Sequence, residues 1–296
     1  MTPRFAVIDS STPRLTFAEA LAAYAAGGAD GIAFGQTRLT EPAADLAALH
    51  ASGLQVSGCF LATYSILPGP DQPSSFLGRE APPSAQDPRD RIDEMAASMR
   101  SLAVFEPDHF FVLSGPHRDL DVGEARAIVV DGLRRLAAVA AELGATLALE
   151  LFDPVLSNYT FVHTIADGAA LLDEVASPSL GLALDIWQLG LDPGIPAEVQ
   201  QHAARVVSVH VNDRREPTRT LWDRVLPGDG VSDLAGILGG LEAGGFDGWY
   251  ELEILSDDGS VAVDLPDSLW KWDPAELVRA GRAKFLESWD ARRTPV

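Results

Sequence analysis

Cysteine, lysine and long apolar runs are all scarce in this sequence of 296 residues. The single cysteine, Cys59, excludes an internal disulfide framework and a cysteine-rich zinc site. Apolar runs stay shorter than the roughly 18 residues that span a bilayer, so we expect no membrane association. The first ten residues lack a basic segment followed by an apolar one, and we therefore expect no secretory signal and a soluble, cytoplasmic protein.

Positive charge is scarce as well. The chain has 22 Lys and Arg against 43 Asp and Glu, which gives a net charge of −21 and a pI near 4.5. Proteins that bind nucleic acid need clustered basic side chains to displace counterions, so this class of partner is not expected. Hydrophobic residues make up 47% of the chain, enough to form a sizeable buried core.

Short apolar runs alternate with helical patterns from end to end. The predicted strands are Phe5–Ile8, Gly31–Gly35, Gln55–Ala62, His109–Leu113, Thr146–Leu151, Leu180–Asp185, Val206–Val211 and Trp249–Leu255. Eight strands alternating with helices predict a single (β/α)8 barrel, a TIM barrel, in one domain over residues 1–296. The alternative is an open doubly wound sheet, but no Gly-x-Gly-x-x-Gly follows the first strand.

Glycines and polar caps mark the ends of two predicted helices. The first begins at about Thr16 and ends before Gly27, and a longer one is capped by Asp121 and ends at Gly144. Residues 67–88 are rich in Pro, Ser and Gly and too long for a plain connection. We interpret this segment as a lid over the site or as a contact between copies of the chain in a homo-oligomer.

Four consecutive strands in the second half each lead into a residue that can bind a metal. These residues are Glu150, Asp185, His210 and Glu253. In such barrels the active site lies at the carboxyl ends of the strands. Side chains two apart share a face of a strand, and the residues that share a face with these ligands are small or polar, as a crowded barrel interior requires.

Three carboxylates and one imidazole favour Mn²⁺, with Mg²⁺ or Co²⁺ as alternatives, over a structural zinc. One such carboxylate alone is equally well explained as a solvated cap or an ion-pair partner. Four on adjacent strands are harder to explain without a cation, because clustered carboxylates repel one another. Glu251 shares a face with Glu253 and lies deeper, so we expect it to pair with an Arg or to orient a ligand.

Several stretches resemble the sugar phosphate isomerase/epimerase family of the xylose isomerase-like TIM-barrel superfamily. They are Leu147–Phe152 (LALELF), Gly181–Trp187 (GLALDIW), Val207–Asp213 (VSVHVND), Asp223–Asp233 (DRVLPGDGVSD), Gly245–Leu255 (GFDGWYELEIL) and the tail around Trp270–Pro274. The resemblance is strong from about Val122 onward and only topological before it.

The resemblance implies that the four strand-end residues bind a divalent metal and that Glu150 and Glu253 are the acid/base pair. The implied function is a metal-dependent isomerase or epimerase of a sugar, keto-sugar or cyclitol, acting through an enediolate. Where many members have a substrate-contacting His, this chain has Gln188. An amide hydrogen-bonds a hydroxyl but does not titrate near neutrality, which points to a different substrate or altered chemistry.

Three further residues are candidates for substrate binding. Arg224 is predicted to clamp a substrate oxygen or a ligand carboxylate, with a structural ion pair as the alternative. His117 follows the fourth strand and Trp187 the sixth, and each is a candidate for the pocket wall. The other histidines, His109 among them, are interpreted as structural.

Three other functions remain open from the residues. The same site suits a dehydratase or lyase, either an inosose dehydratase-like enzyme or the subunit that cleaves 3-keto-C-glycosides by β-elimination. A phosphodiesterase like endonuclease IV needs extra His ligands and a basic face, and neither is evident. A metal-free barrel that serves as an interaction partner does not require the four ligands.

Overall fold

The structure is a computed structural model that describes residues 2–69 and 84–292. Eight parallel strands close into a barrel. The barrel strands are β1 (Arg4–Ile8), β2 (Gly31–Gly35), β3 (Gln55–Ser65), β4 (His109–Leu113), β5 (Thr146–Glu150), β6 (Leu180–Asp185), β7 (Val206–Val211) and β10 (Trp249–Leu252). Each strand is hydrogen-bonded to its neighbours around the ring in the order β1-β10-β7-β6-β5-β4-β3-β2. This closure confirms the predicted (β/α)8 barrel.

Eight α-helices are found among the described residues. They are α1 (Phe17–Gly27), α2 (Pro42–Ser52), α3 (Pro88–Leu102), α4 (Val122–Glu142), α5 (Ile165–Val175), α6 (Ile195–His202), α7 (Leu234–Ala243) and α8 (Pro274–Asp290). Thr16 and Glu19 form a capping box at the start of α1, and Gly28 ends that helix in the left-handed region at φ 87°. Asp121 caps α4 by accepting from the Gly123 amide, as predicted. None of the described helices is long and apolar enough to cross a bilayer.

The two faces of the barrel strands carry different side chains. Leu147 and Leu149 of β5 belong to the large hydrophobic core between the strands and the helices. Ala148, on the opposite face of β5, belongs to a smaller group inside the barrel, the apolar interior layer, which comprises Ile8, Ala33, Phe111, Ala148 and Ala183. Strand alternation therefore predicts the inward face correctly, and the residues that end these strands follow it into the barrel mouth.

The strand ends that differ most from the prediction are those of β10 and β3. The last barrel strand ends at Leu252 rather than Leu255, because the Ser11 side chain hydrogen-bonds the backbone at and beyond Leu252. The Ser11 Oγ donates to the Leu252 carbonyl at 3.1 Å and accepts from the Ile254 amide at 2.9 Å. β3 continues beyond Ala62 to Ser65, which pairs with Leu113. A short antiparallel pair that the sequence did not predict, β8 (Asp213–Arg214) and β9 (Arg224–Val225), follows β7.

The long segment predicted at residues 67–88 falls mostly on residues 70–83, which lie outside the described residues. Its role as a lid or an oligomer contact therefore stays a prediction.

Candidate metal centre

Glu150, Asp185, His210 and Glu253 converge at the carboxyl ends of β5, β6, β7 and β10. Each offers one ligand atom, and the four atoms all lie within 4.8 Å of one another. All four side chains are buried. The four residues therefore form one buried group that could hold a metal ion.

Strand register explains why the four meet. Asp185 and His210 are directly paired across β6 and β7, and His210 is paired in turn with Glu251 of β10. Glu253 lies two residues beyond Glu251, where the chain leaves the strand, and its carboxylate still reaches the ring of His210. The His210 Nδ1 atom is 3.2 Å from Glu150 Oε1 and 3.4 Å from Glu253 Oε2.

Arg224 lies beside two of the candidate ligands. Its Nη2 is 2.6 Å from Asp185 Oδ2, and its Nη1 donates to Glu253 Oε2. Of the roles considered from the sequence, the structure places Arg224 on ligand carboxylates. Three carboxylates and one guanidinium leave a formal charge of −2, which a divalent cation neutralises.

Arg224 is held by a turn anchored on Asp213. The Asp213 carboxylate accepts from the backbone amides of Gly228, Gly230 and Ser232 at 3.0–3.1 Å. A Cβ at Gly230 would collide with this carboxylate and with the Arg214 carbonyl, so the glycine is required by close approach. The stretch that resembles the family, DRVLPGDG, is thus the turn that carries Arg224 into the site.

Asn212 fixes the orientation of Asp185. Its Nδ2 donates to Asp185 Oδ1 at 2.8 Å and to the Glu253 carbonyl at 3.2 Å, and its Oδ1 accepts from the Trp187 amide at 3.0 Å. Asn212 is fully buried. Asn212 belongs to the motif VSVHVND, and its role could have been predicted because it lies two residues after His210, on the same face of the chain.

Burial and neighbouring charges shift the pKa values of the two glutamates in opposite directions. Burial raises the pKa of Glu150 to about 6, with Glu253 and Asp185 adding to the shift and His210 opposing it. Burial also acts to raise the pKa of Glu253, but Arg224 and His210 outweigh it and hold that pKa far below its usual value. For the protein groups alone, Glu150 is therefore the carboxyl more easily protonated.

His210 and Asp185 are perturbed by the same surroundings. Burial acts to lower the pKa of His210, but Glu150 and then Glu253 outweigh it and raise the pKa well above its ordinary value. Burial raises the pKa of Asp185 in spite of Arg224. The raised pKa of His210 shows that negative charge exceeds positive charge among the side chains of this cluster.

The remaining predicted site residues lie in the segments that follow β4 and β6. Gln188 is nearly buried, and its Oε1 accepts from the Asp153 amide at 2.9 Å, which ties the turn after β6 to the one after β5. Trp187 is buried under the guanidinium of Arg214, whose Cζ is 4.8 Å from the ring centroid. His117 is partly buried in the loop after β4. No contact of these residues tests substrate binding, so that role stays a prediction.

His109 had no predicted functional role, and of the two expectations for Glu251 the arginine partner is not met among the described residues. His109, interpreted as structural, lies inside the barrel with its Nε2 3.5 Å from Glu251 Oε1. The partners of Glu251 among the described residues are serines and histidines rather than the expected arginine. The inward position of His109 could have been predicted from β4, because His109 lies two residues before Phe111 and residues two apart share a face of a strand.

The donor set suits a divalent cation. Carboxylate oxygens with one imidazole nitrogen form an oxygen-rich site with a single borderline ligand. Both ring nitrogens of His210 are buried without a well-formed hydrogen bond among the described residues. A buried imidazole is costly in that state unless a ligand takes one nitrogen, so these residues fit a metal ion.

The fold and this cluster define a (β/α)8 barrel with a candidate metal centre at the carboxyl ends of its strands. The family model described as the xylose isomerase-like TIM barrel matches residues 21–288, and the chain belongs to that family. No match was found among curated proteins.

Three solved structures with the same fold are between 12% and 23% identical to this chain. The protein SMc04130 from Sinorhizobium meliloti 1021 is 23% identical with a TM-score of 0.79, over 96% of this chain and 98% of its own. The IOLI protein, solved with a zinc atom, is 16% identical with a TM-score of 0.74, over 99% and 100%. D-Psicose 3-epimerase from Clostridium cellulolyticum H10, solved with D-tagatose, is 12% identical with a TM-score of 0.77, over 97% and 99%.

Proposed function

We propose that this protein is a divalent-metal-dependent isomerase or epimerase of a sugar, keto-sugar or cyclitol. The observation that carries the proposal is the buried convergence of Glu150, Asp185, His210 and Glu253 within 4.8 Å. Membership of the xylose isomerase-like family and the fold shared with a D-psicose 3-epimerase support it.

Glu150 and Glu253 are the groups that move the substrate proton. The four strand-end residues would hold a divalent cation, which would polarise a carbonyl and its neighbouring hydroxyl and so acidify the C–H of the hydroxyl-bearing carbon. One glutamate, as the carboxylate, then removes that proton and becomes protonated, and the other, protonated beforehand, gives a proton from the opposite side and becomes a carboxylate. Return to the same carbon inverts it, whereas return to the neighbouring carbon moves the carbonyl.

The proposed cation is Mn²⁺, with Mg²⁺ and Co²⁺ as alternatives, because three of the four donors are carboxylates. The IOLI structure holds zinc, so zinc belongs in any metal comparison. Arg224, Gln188, Trp187 and His117 are the proposed substrate contacts at the mouth. A cytoplasmic location, self-association and the lid at residues 67–88 stay predictions.

The test is deuterium uptake from D₂O. Chelator-stripped protein is incubated with a panel of ketoses and inososes, with and without Mn²⁺, Mg²⁺, Co²⁺ or Zn²⁺, and products are read by proton NMR. The expected result is cation-dependent uptake next to the carbonyl of at least one substrate. An unsaturated keto product in place of exchange would mean elimination, which would replace isomerisation by the dehydratase reaction.

Glu253→Gln is the matched variant, since it keeps the shape of the side chain and removes its basicity. We expect turnover to fall by about 10²- to 10⁴-fold, with a smaller loss of metal affinity. Full activity in Glu253→Gln would transfer the catalytic role to Glu251. If the metal-loaded protein neither exchanges a proton nor forms an elimination product with any member of the panel, the proposed function is wrong.

A further inference from the structure

A second buried polar cluster lies beneath the metal centre, inside the barrel. This cluster, the Glu251 cluster, consists of Glu251 of β10, Ser57 of β3, His109 of β4 and Ser208 of β7. All four side chains are buried. None of them is among the four candidate metal ligands.

The contacts divide evenly between the two carboxylate oxygens of Glu251. Oε1 accepts from Ser57 Oγ at 2.5 Å and lies 3.5 Å from His109 Nε2. Oε2 accepts from Ser208 Oγ and lies 3.7 Å from Nε2 of the metal-centre residue His210. Two hydroxyls from different strands therefore fix the plane of the carboxylate, and each oxygen faces one imidazole.

The ring of His210 is consequently placed between two sets of carboxylates. Its Nδ1 faces Glu150 and Glu253 in the metal centre, and its Nε2 faces Glu251. An imidazole that gives one nitrogen to a metal carries its proton on the other, and that N–H needs an acceptor when it is buried. The 3.7 Å separation is longer than a hydrogen bond, and a shift of less than about 1 Å closes it.

We propose that Glu251 is a positioning residue that holds His210 with Nδ1 toward the cation, and that Ser57 and Ser208 hold Glu251 for this purpose. The inference rests on the proposed function, because it assigns the cation to the Nδ1 side of the ring. A buried carboxylate is costly to retain as filling, and well-packed apolar residues would fill the same space at lower cost.

The first experiment measures Mn²⁺ binding to chelator-stripped protein by the loss of the free-ion EPR signal. Glu251→Gln keeps the shape of the side chain and removes its charge, and we expect Mn²⁺ affinity to fall about tenfold or more. Ser208→Ala leaves the carboxylate in place with one hydroxyl fewer, so a smaller loss is expected. The control is Leu252→Val on the same strand, whose side chain packs on the opposite face near Gly281; it should lower thermal stability and leave Mn²⁺ affinity unchanged.

The second experiment follows the ring itself in protein loaded with diamagnetic Zn²⁺. Nitrogen NMR of protein labelled at histidine reports which ring nitrogen of His210 binds the cation and which carries the proton. We expect Nδ1 to bind the cation and Nε2 to be protonated in the wild type, and a loss of that preference in Glu251→Gln. A structural role would change stability without changing this pattern.

The outcomes separate this proposal from the proposed function. If the wild type binds Mn²⁺ and Glu251→Gln binds it equally well with an unchanged ring pattern, the positioning role is wrong and the metal site stands. If the wild type binds none of the cations tested, the proposed function fails. The positioning role then fails with it, because that role assigns a cation to Nδ1 of His210.

Discussion

Asn212 offers the sharpest test of how the metal centre is held together. Asn212→Ala removes three hydrogen bonds, of which the one to the Asp185 carboxylate is worth about 1.5–3 kcal/mol and the others less. The Trp187 amide keeps a partner, since it also donates to Asp185 Oδ1 at 2.9 Å. We therefore expect a loss of about 2–4 kcal/mol in the free energy of unfolding.

That loss converts into a melting temperature. Unfolding entropy is about 2.1 cal/mol/K per residue, or about 0.6 kcal/mol/K for 296 residues, so metal-free Asn212→Ala should melt about 3–6 °C below the wild type. Loss of a residue that hydrogen-bonds a metal ligand, as Asn212 does with Asp185, weakens metal binding by about 10–100-fold. At saturating Mn²⁺ this removes about 1.4–2.7 kcal/mol of stabilisation. The gap between the two proteins should therefore widen by about 2–4 °C when Mn²⁺ is added.

The assay is a pair of calorimetric scans for each protein, one with chelator and one with excess Mn²⁺. Thr160→Val is the control, because it removes a buried hydrogen bond to Ser114 at 2.7 Å outside the metal centre. It should lower the melting temperature by the same amount with and without the cation. A gap for Asn212→Ala that does not change on adding Mn²⁺ would refute the idea that Asn212 holds Asp185 for metal binding.

Three other predictions follow from buried charges and close approaches. Asp9→Ala leaves Arg38 buried without the carboxylate that its Nε contacts at 2.8 Å, and should lower the free energy of unfolding by about 3–5 kcal/mol with unchanged Mn²⁺ affinity; a loss under 1 kcal/mol in urea titrations would contradict it. Gly230→Ala displaces the Asp213 turn that carries Arg224, so the catalysed rate should fall while the far-ultraviolet dichroism stays native, and wild-type kinetics would rule this out. Removal of metal by chelation should abolish proton exchange, and Mn²⁺ should restore it; exchange that persists in the stripped protein would contradict the metal requirement.

Much of the barrel was predictable because large and small side chains alternate along the strands of the second half. Leu147 and Leu149 alternate with Ala148, so the face of β5 toward the helices and the face toward the interior follow from side-chain size. A polar residue that ends such a strand on its interior face points into the mouth of the barrel. That is why Glu150 and its three partners could be identified before the structure.

The contacts that sequence could not supply depend on closure of the ring. Ser57 and Glu251 lie 194 residues apart, and only the circular order of strands brings β3 within reach of β10. The β8–β9 pair has two residues in each strand, too few to show a periodicity. The position of Arg224 in the sequence is compatible both with substrate binding and with an ion pair to a carboxylate. Its pairing with Asp185 is therefore visible only in the structure.

All four candidate ligands come from neighbouring strands, β5, β6, β7 and β10. The candidate metal ligands are therefore confined to one half of the barrel. The wall formed by β1 to β4 contributes none of these ligands, and at its mouth Asp9 is already matched by Arg38. Under the proposed function, substitutions in the loops of that wall would change substrate preference without disturbing the cation. Substitutions at Trp187, Gln188 or Arg224, which lie in the same half as the ligands, would affect both substrate and metal binding.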